Sequence, residues 1–139
     1  MVRLLLYAVE SNNTGTWVLD LLLQLVAAQH LEVHRSIDSL ARRLHMPRES
    51  LRIVILVPST SEELLGMVSL RQLLKEYRIV LFLPDDSRST VVEGLSLCPR
   101  FLAYQDTHPH DLMAVLDRML TIYATDSWAA IPRNRVGGA

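Results

Sequence analysis

The chain has 139 residues, half of them hydrophobic, and a formal net charge of −1. A length of this order supports one domain with a core covered on two sides. The near-zero charge supplies no basic field for nucleic acid and no acidic block of the kind found in disordered tails. With a single cysteine, Cys98, an internal disulfide is excluded, which fits a reducing cytoplasm; the residue reads as a small buried hydrophobe.

Residues 1–9 are apolar behind Arg3 and lack a charged leader or a small-residue cleavage site, so residues 2–9 read as a first strand and not a signal peptide. The longest apolar run, residues 17–28, is broken by Asp20 and Gln24 and is shorter than the roughly 20 residues that span a bilayer. It belongs to a first helix, residues 14–29, with Asp20 and Gln24 on its solvent stripe. Residues 32–37 alternate as an edge strand does. Asp38 or Ser39 then caps a short second helix that stops before Pro47. Residues 51–57, LRIVILV, read as a central strand covered on both faces.

After Pro58, the pairs Ser59 with Glu62 and Thr60 with Glu63 are overlapping capping-box candidates for a third helix running to Glu76. A fourth strand over residues 78–83, a fourth helix over 89–97 and a short fifth strand over 101–104 follow. Pro109 suits the first turn of a fifth helix, whose residues Leu112, Leu116, Met119 or Leu120, and Tyr123 share one face through residue 123. Residues 1–124 therefore form one α/β domain, and residues 125–139, without periodicity, form a tail. Strand–helix alternation predicts a three-layer, doubly wound parallel sheet of five strands in the order 2-1-3-4-5, the flavodoxin-like arrangement.

Ligands of such sheets sit at the strand C-terminal ends, near the switch point between strands one and three. Glu10, Asp85, Asp86 and His108 fall in those loops and could line a pocket. The simpler account is that these polar loops are helix caps and turns. Asp106, His108, His110 and Asp111 invite a metal reading, yet no third ligand stands at a recognisable spacing, so no metal is expected. A boundary between helix and strand separates His30 from His34, which removes a shared face.

The run Thr107-His108-Pro109-His110-Asp111-Leu112, after the apolar residues 101–104, resembles the last strand, loop and helix of a two-component receiver domain. A receiver carries Lys where this chain has His108. The resemblance covers residues 2–123, and its motifs are degenerate. Of the acid pair that holds Mg²⁺ after strand one, only Glu10 remains. Leu56 or Val57 stands at the phosphoacceptor aspartate, and Leu83-Pro84-Asp85 where strand four should end in Ser or Thr. The resemblance implies a pseudo-receiver: not an enzyme, without a cofactor, acting in bacterial signal transduction through protein contacts.

Receivers dimerise or dock partners through the fourth helix, fifth strand and fifth helix. The resemblance thus implies an interface at Val91, Val92, Leu95, Tyr104, Met113 and Asp117, for a signalling protein or a second copy. The near-zero charge and the short, interrupted apolar run point to no nucleic acid and no membrane as partners. The resemblance also implies a cis His108–Pro109 bond. Independently, Val91, Val92, Leu95 and Leu97 are too many apolar residues for one buried stripe on so short a helix.

A second resemblance is to the flavodoxin phosphate loop, at Ser11-Asn12-Asn13-Thr14-Gly15-Thr16. It implies an FMN or nucleotide binder as the alternative function, with Ser11, Asn13, Thr14, Gly15 and Thr16 around a phosphate. The loop is one residue too long, and residues 58–63 and 84–88 contain no aromatic side chain to stack on a flavin. The plainer reading of Asn13-Thr14 is a helix N-cap.

Overall fold

The computed structural model of the chain describes residues 3–104 and 106–124. Its five strands, β1 (Arg3–Tyr7), β2 (Leu31–His34), β3 (Leu51–Leu56), β4 (Arg78–Phe82) and β5 (Phe101–Ala103), pair in parallel in the order β2-β1-β3-β4-β5. This is the flavodoxin-like sheet. Alternation of side chains across each strand explains its two cores. Leu5, Tyr7, Val54, Leu56, Ile79 and Leu81 face one side. Leu4, Leu6, Ile53, Ile55, Val80 and Phe82 face the other. β3 lies in the centre with both faces covered, and β2 is an edge strand with every residue half-buried.

Among the described residues the strands are joined by the helices α1 (Asn13–Leu25), α2 (Ile37–Leu44), α3 (Ser61–Val68), α4 (Arg71–Leu74) and α5 (Arg88–Leu95), and α6 (Pro109–Ala124) follows β5. α1 and α6 pack on the second core; α2 to α5 cover the first. Among the described residues no helix is long and apolar enough to cross a membrane.

Several boundaries differ from the sequence reading. α1 ends at Leu25, where Val26 turns extended, and a 3-10 turn at Ala28–His30 leads into β2. Its 13 residues, at about 1.5 Å each, cover the return path along a strand. α2 is capped by Ser36, whose side chain accepts from the Ser39 N–H, and not by Asp38 or Ser39. The third helix is broken into α3 and α4: the Ser69 hydroxyl donates to Gly66 O at 2.5 Å, and Leu70 leaves the helical region. Cys98 is exposed, not buried. It takes the left-handed conformation (φ 54°) that ends α5, with its N–H on Leu95 O, and this turns its side chain outward. The predicted tail lies outside the described residues.

Candidate functional site

The switch point between β1 and β3 is held shut by one side chain. Asn12 is the N-cap of α1: its Oδ1 accepts from the Gly15 N–H at 3.2 Å. Its Nδ2 donates across the crevice to Val57 O at 3.1 Å and Ser59 Oγ at 3.0 Å. The cap is therefore Asn12 and not Asn13-Thr14, and partners 45 and 47 residues away select it.

Ser59 continues the clasp, its N–H donating to Glu63 Oε1 at 3.1 Å. Thr60 caps α3 by accepting from the Glu63 N–H, so the Glu63 carboxylate reaches back one residue past the cap, to Ser59. The same Oε1 accepts from the Tyr7 hydroxyl at 3.1 Å. Burial of that phenol, then the charge and hydrogen bond of Glu63, push its pKa well above the usual range. Beneath the clasp, Val57 is 1% exposed and Pro58 is buried. At the end of β3, where a phosphoacceptor carboxylate would stand, the chain presents packed hydrocarbon.

The Ser11–Thr16 segment is not a free cradle. Asn13, Thr14, Gly15 and Thr16 form the first turn of α1, while Ser11 is exposed before it. The Gly15 N–H is held by Asn12 Oδ1 and the Thr16 N–H by Asn12 O. Gly15 is there for contact: a Cβ on it would collide with the Cβ of Ala8, so it lets α1 sit directly on the end of β1.

Of the four residues read as a strand-end pocket, only Asp85 and Asp86 share a cleft. Glu10 is exposed in the turn before α1. Asp85 and Asp86 line a cleft of about 540 Å³ with Leu83, Pro84, Tyr104 and Asp106, between the loops after β4 and β5. His108 lines a different cleft, of about 340 Å³, with Trp17, Asp20, Gln24 and Met113 between α1 and α6. Asp85 accepts from the Ser87 N–H at 2.9 Å, and this bonding with Ser87 holds its carboxyl below the usual range. Ser87 itself caps α5 by accepting from the Thr90 N–H. Asp85 thus shapes a helix entry. Among the described residues no cluster of His, Cys, Asp and Glu suits a metal ion.

The loop before α6 also departs from the resemblance. The His108–Pro109 bond is trans, not cis. His108 enters the helix directly: its O accepts from the N–H of Asp111 and Leu112, and its Nδ1 accepts from the His110 N–H at 3.0 Å. Pro109 is the first helical residue, where a trans bond and its fixed φ serve equally well, so no tight turn calls for cis.

Along the β5 edge, Val92 and Leu95 of α5 are 62% and 53% exposed, while Val91 and Tyr104 lean half-buried on the first core. α6 offers a different side from the one read in the sequence. Met113 faces the α1 cleft, and Asp117, one turn on, shares that side. The residues of α6 turned to the β5 edge are Val115, Arg118, Met119 and Ile122, which meet Arg78, Arg100 and Phe101 in a groove of about 280 Å³. Their spacing of three, four and seven is the signal that could have found them.

The sequence matches no protein-family model and no curated protein. Similar solved structures include a protein assigned to pilus assembly in Burkholderia pseudomallei, at 16% identity and TM-score 0.62, over 87% of this chain and 90% of that one. Another, assigned to pilus assembly in Burkholderia thailandensis, has 16% identity and TM-score 0.61, over 87% and 99%. A response regulator from Thermotoga maritima has 10% identity and TM-score 0.61, again over 87% and 99%. The chain has the receiver-like fold. At these identities the likeness is one of architecture, which agrees with the sheet order.

Proposed function

We propose that the chain is a receiver-fold module of bacterial signal transduction that works in the cytoplasm by binding another protein and takes no phosphoryl group. The observation that carries this reading is the Asn12 clasp over Val57 and Pro58. Phosphoryl transfer to a carboxylate requires that carboxylate at the end of β3, beside a metal that offsets the growing charge. Hydrocarbon occupies that place, and Asn12 spends its side chain on holding the two loops together. Without an internal chemical switch, a signalling role must run through contacts. The exposed Val92 and Leu95 on α5 supply apolar surface for them.

Two measurements test the reading. Incubated with Mg²⁺ and acetyl phosphate, the protein keeps its intact mass; a stoichiometric phosphoryl adduct on a carboxylate would refute the first half. Val92→Glu with Leu95→Glu leaves the circular dichroism spectrum unchanged and abolishes capture of the partner. Retention of every captured protein by that variant would refute the second half.

A further inference from the structure

The groove at the N-terminal ends of β4 and β5 is one-sided in charge. Arg78, Arg100 and Arg118 stand around a floor that includes Phe101 and Met119, and among the described residues no carboxylate lines it. Among the described residues, neither Arg100 nor Arg118 forms an ion pair within the chain. We infer that this groove binds a short acidic segment of a partner protein, with one apolar side chain seated on Phe101 and Met119 and flanking carboxylates on Arg100 and Arg118. The inference rests on the reading of the chain as a docking module and names the chemistry of what docks.

The choice of occupant follows from what lies around the groove. Guanidinium groups engage carboxylates in paired hydrogen bonds, and their planar fork suits a peptide acid. The apolar floor rewards a hydrocarbon anchor, which neither a nucleic-acid backbone nor a bare anion brings. A cavity of about 280 Å³ admits one or two large side chains and not a domain surface. The other end of β5 limits the reach of any polyanion. There Asp85, Asp86 and Asp106 line the neighbouring cleft. The residues from Arg100 to Asp106, at about 3.3 Å each, set the two charged ends no more than about 20 Å apart. A long polyanion that ran from the arginines along the β5 edge would also meet those acids. A short acidic segment touches one end alone.

The test uses the full chain and a fluorescein-labelled synthetic peptide, Asp-Glu-Asp-Leu-Phe-Asp-Glu-Asp, followed by anisotropy at about 20 mM and 150 mM salt. Three competitors are the same peptide with Ser for Leu and Phe, a DNA duplex, and vesicles containing phosphatidylserine. The apolar-anchored peptide binds, its affinity falls with salt, and Arg100→Glu with Arg118→Glu weakens it at least about tenfold. The Ser peptide competes poorly, as do the duplex and the vesicles. Val92→Glu with Leu95→Glu binds the peptide as the unaltered chain does, so loss of the α5 contact and loss of this groove are read separately. Absence of binding, or binding indifferent to the arginine reversal, overturns the inference. So does equal competition by the Ser peptide, the duplex or the vesicles. A homodimer that the arginine reversal dissociates would also overturn it, by assigning the groove to a second copy.

Discussion

Replacing Asn12 with Ala separates a cap from a clasp. An N-cap side chain alone contributes about 1 kcal/mol, within a range of about 0.5–2. Asn12 caps α1 through Oδ1, and its amide also donates to Val57 O and Ser59 Oγ in the part-buried crevice. Two such bonds add about 1 kcal/mol each, so Asn12→Ala should cost about 3 kcal/mol. Ser36→Ala is the control, since Ser36 caps α2 from an exposed position through the Ser39 N–H alone. It should cost about 1 kcal/mol. Urea unfolding of both variants at equal m-value reads the difference directly. A cycle with Ser59→Ala should return a coupling of about 1 kcal/mol for the Asn12–Ser59 pair. If Asn12→Ala and Ser36→Ala agree within about 0.5 kcal/mol, Asn12 is only a cap, and the sealed switch point fails as an explanation.

Gly15→Ala should destabilise by about 1–3 kcal/mol, despite the better helix propensity of Ala, because its Cβ meets that of Ala8; adding Ala8→Gly should recover most of the loss in urea unfolding. At Glu32, burial raises the pKa, but the hydrogen bond and charge of Arg43, with bonds to His34 and Arg3, outweigh it and leave the value lowered. A depressed carboxylate stabilises the fold above its unfolded pKa and loses that contribution as pH falls through the folded value. Glu32→Gln should therefore cost about 2 kcal/mol at neutral pH and flatten the acid limb of stability below about pH 4, measured by urea midpoints across pH. Tyr7 has the opposite sense: its raised phenol is stabilising below its unfolded pKa of about 10, and that contribution is lost as pH climbs above it. Tyr7→Phe should cost about 1 kcal/mol at pH 7 and remove the alkaline part of the loss that this residue causes, by the same assay.

The sheet was legible because its strands are buried on both faces. In residues 51–57 every position but Arg52 is apolar, and a run of that kind has no place in the fold except the centre. The alternation of residues 32–37 marked an edge, which β2 is, and Pro109 marked the start of α6. What escaped was decided by atoms distant in sequence. Asn12 and Asn13 are equal as caps on local grounds, and only the positions of Val57 O and Ser59 distinguish them. The direction of α6 was hidden in a similar way. Its apolar positions were visible, but whether Met113 or Met119 would turn to the β5 edge depends on how the helix rolls against α1. Cys98 was misjudged because composition favours burial of a free thiol, whereas its conformation is imposed by the end of α5.

A receiver-like sheet and receiver chemistry make demands on different atoms. The sheet needs apolar strands and loops whose polar groups are satisfied; the reaction needs carboxylates at the strand ends left unsatisfied until a metal and a phosphoryl group arrive. In this chain three of the polar side chains near those ends have structural partners. Asn12 spans β1 and β3, Glu63 accepts from Tyr7 and Ser59, and Asp85 sets the entry to α5. Each of these contacts stabilises a loop by using a group that catalysis would have to keep free. Restoring one carboxylate at position 57 would therefore add a buried charge to a closed crevice without supplying a site for metal. Surface contacts escape that conflict, because Val92, Leu95, Arg100 and Arg118 lie on the periphery of the sheet, where a binding role can be gained without opening the switch point.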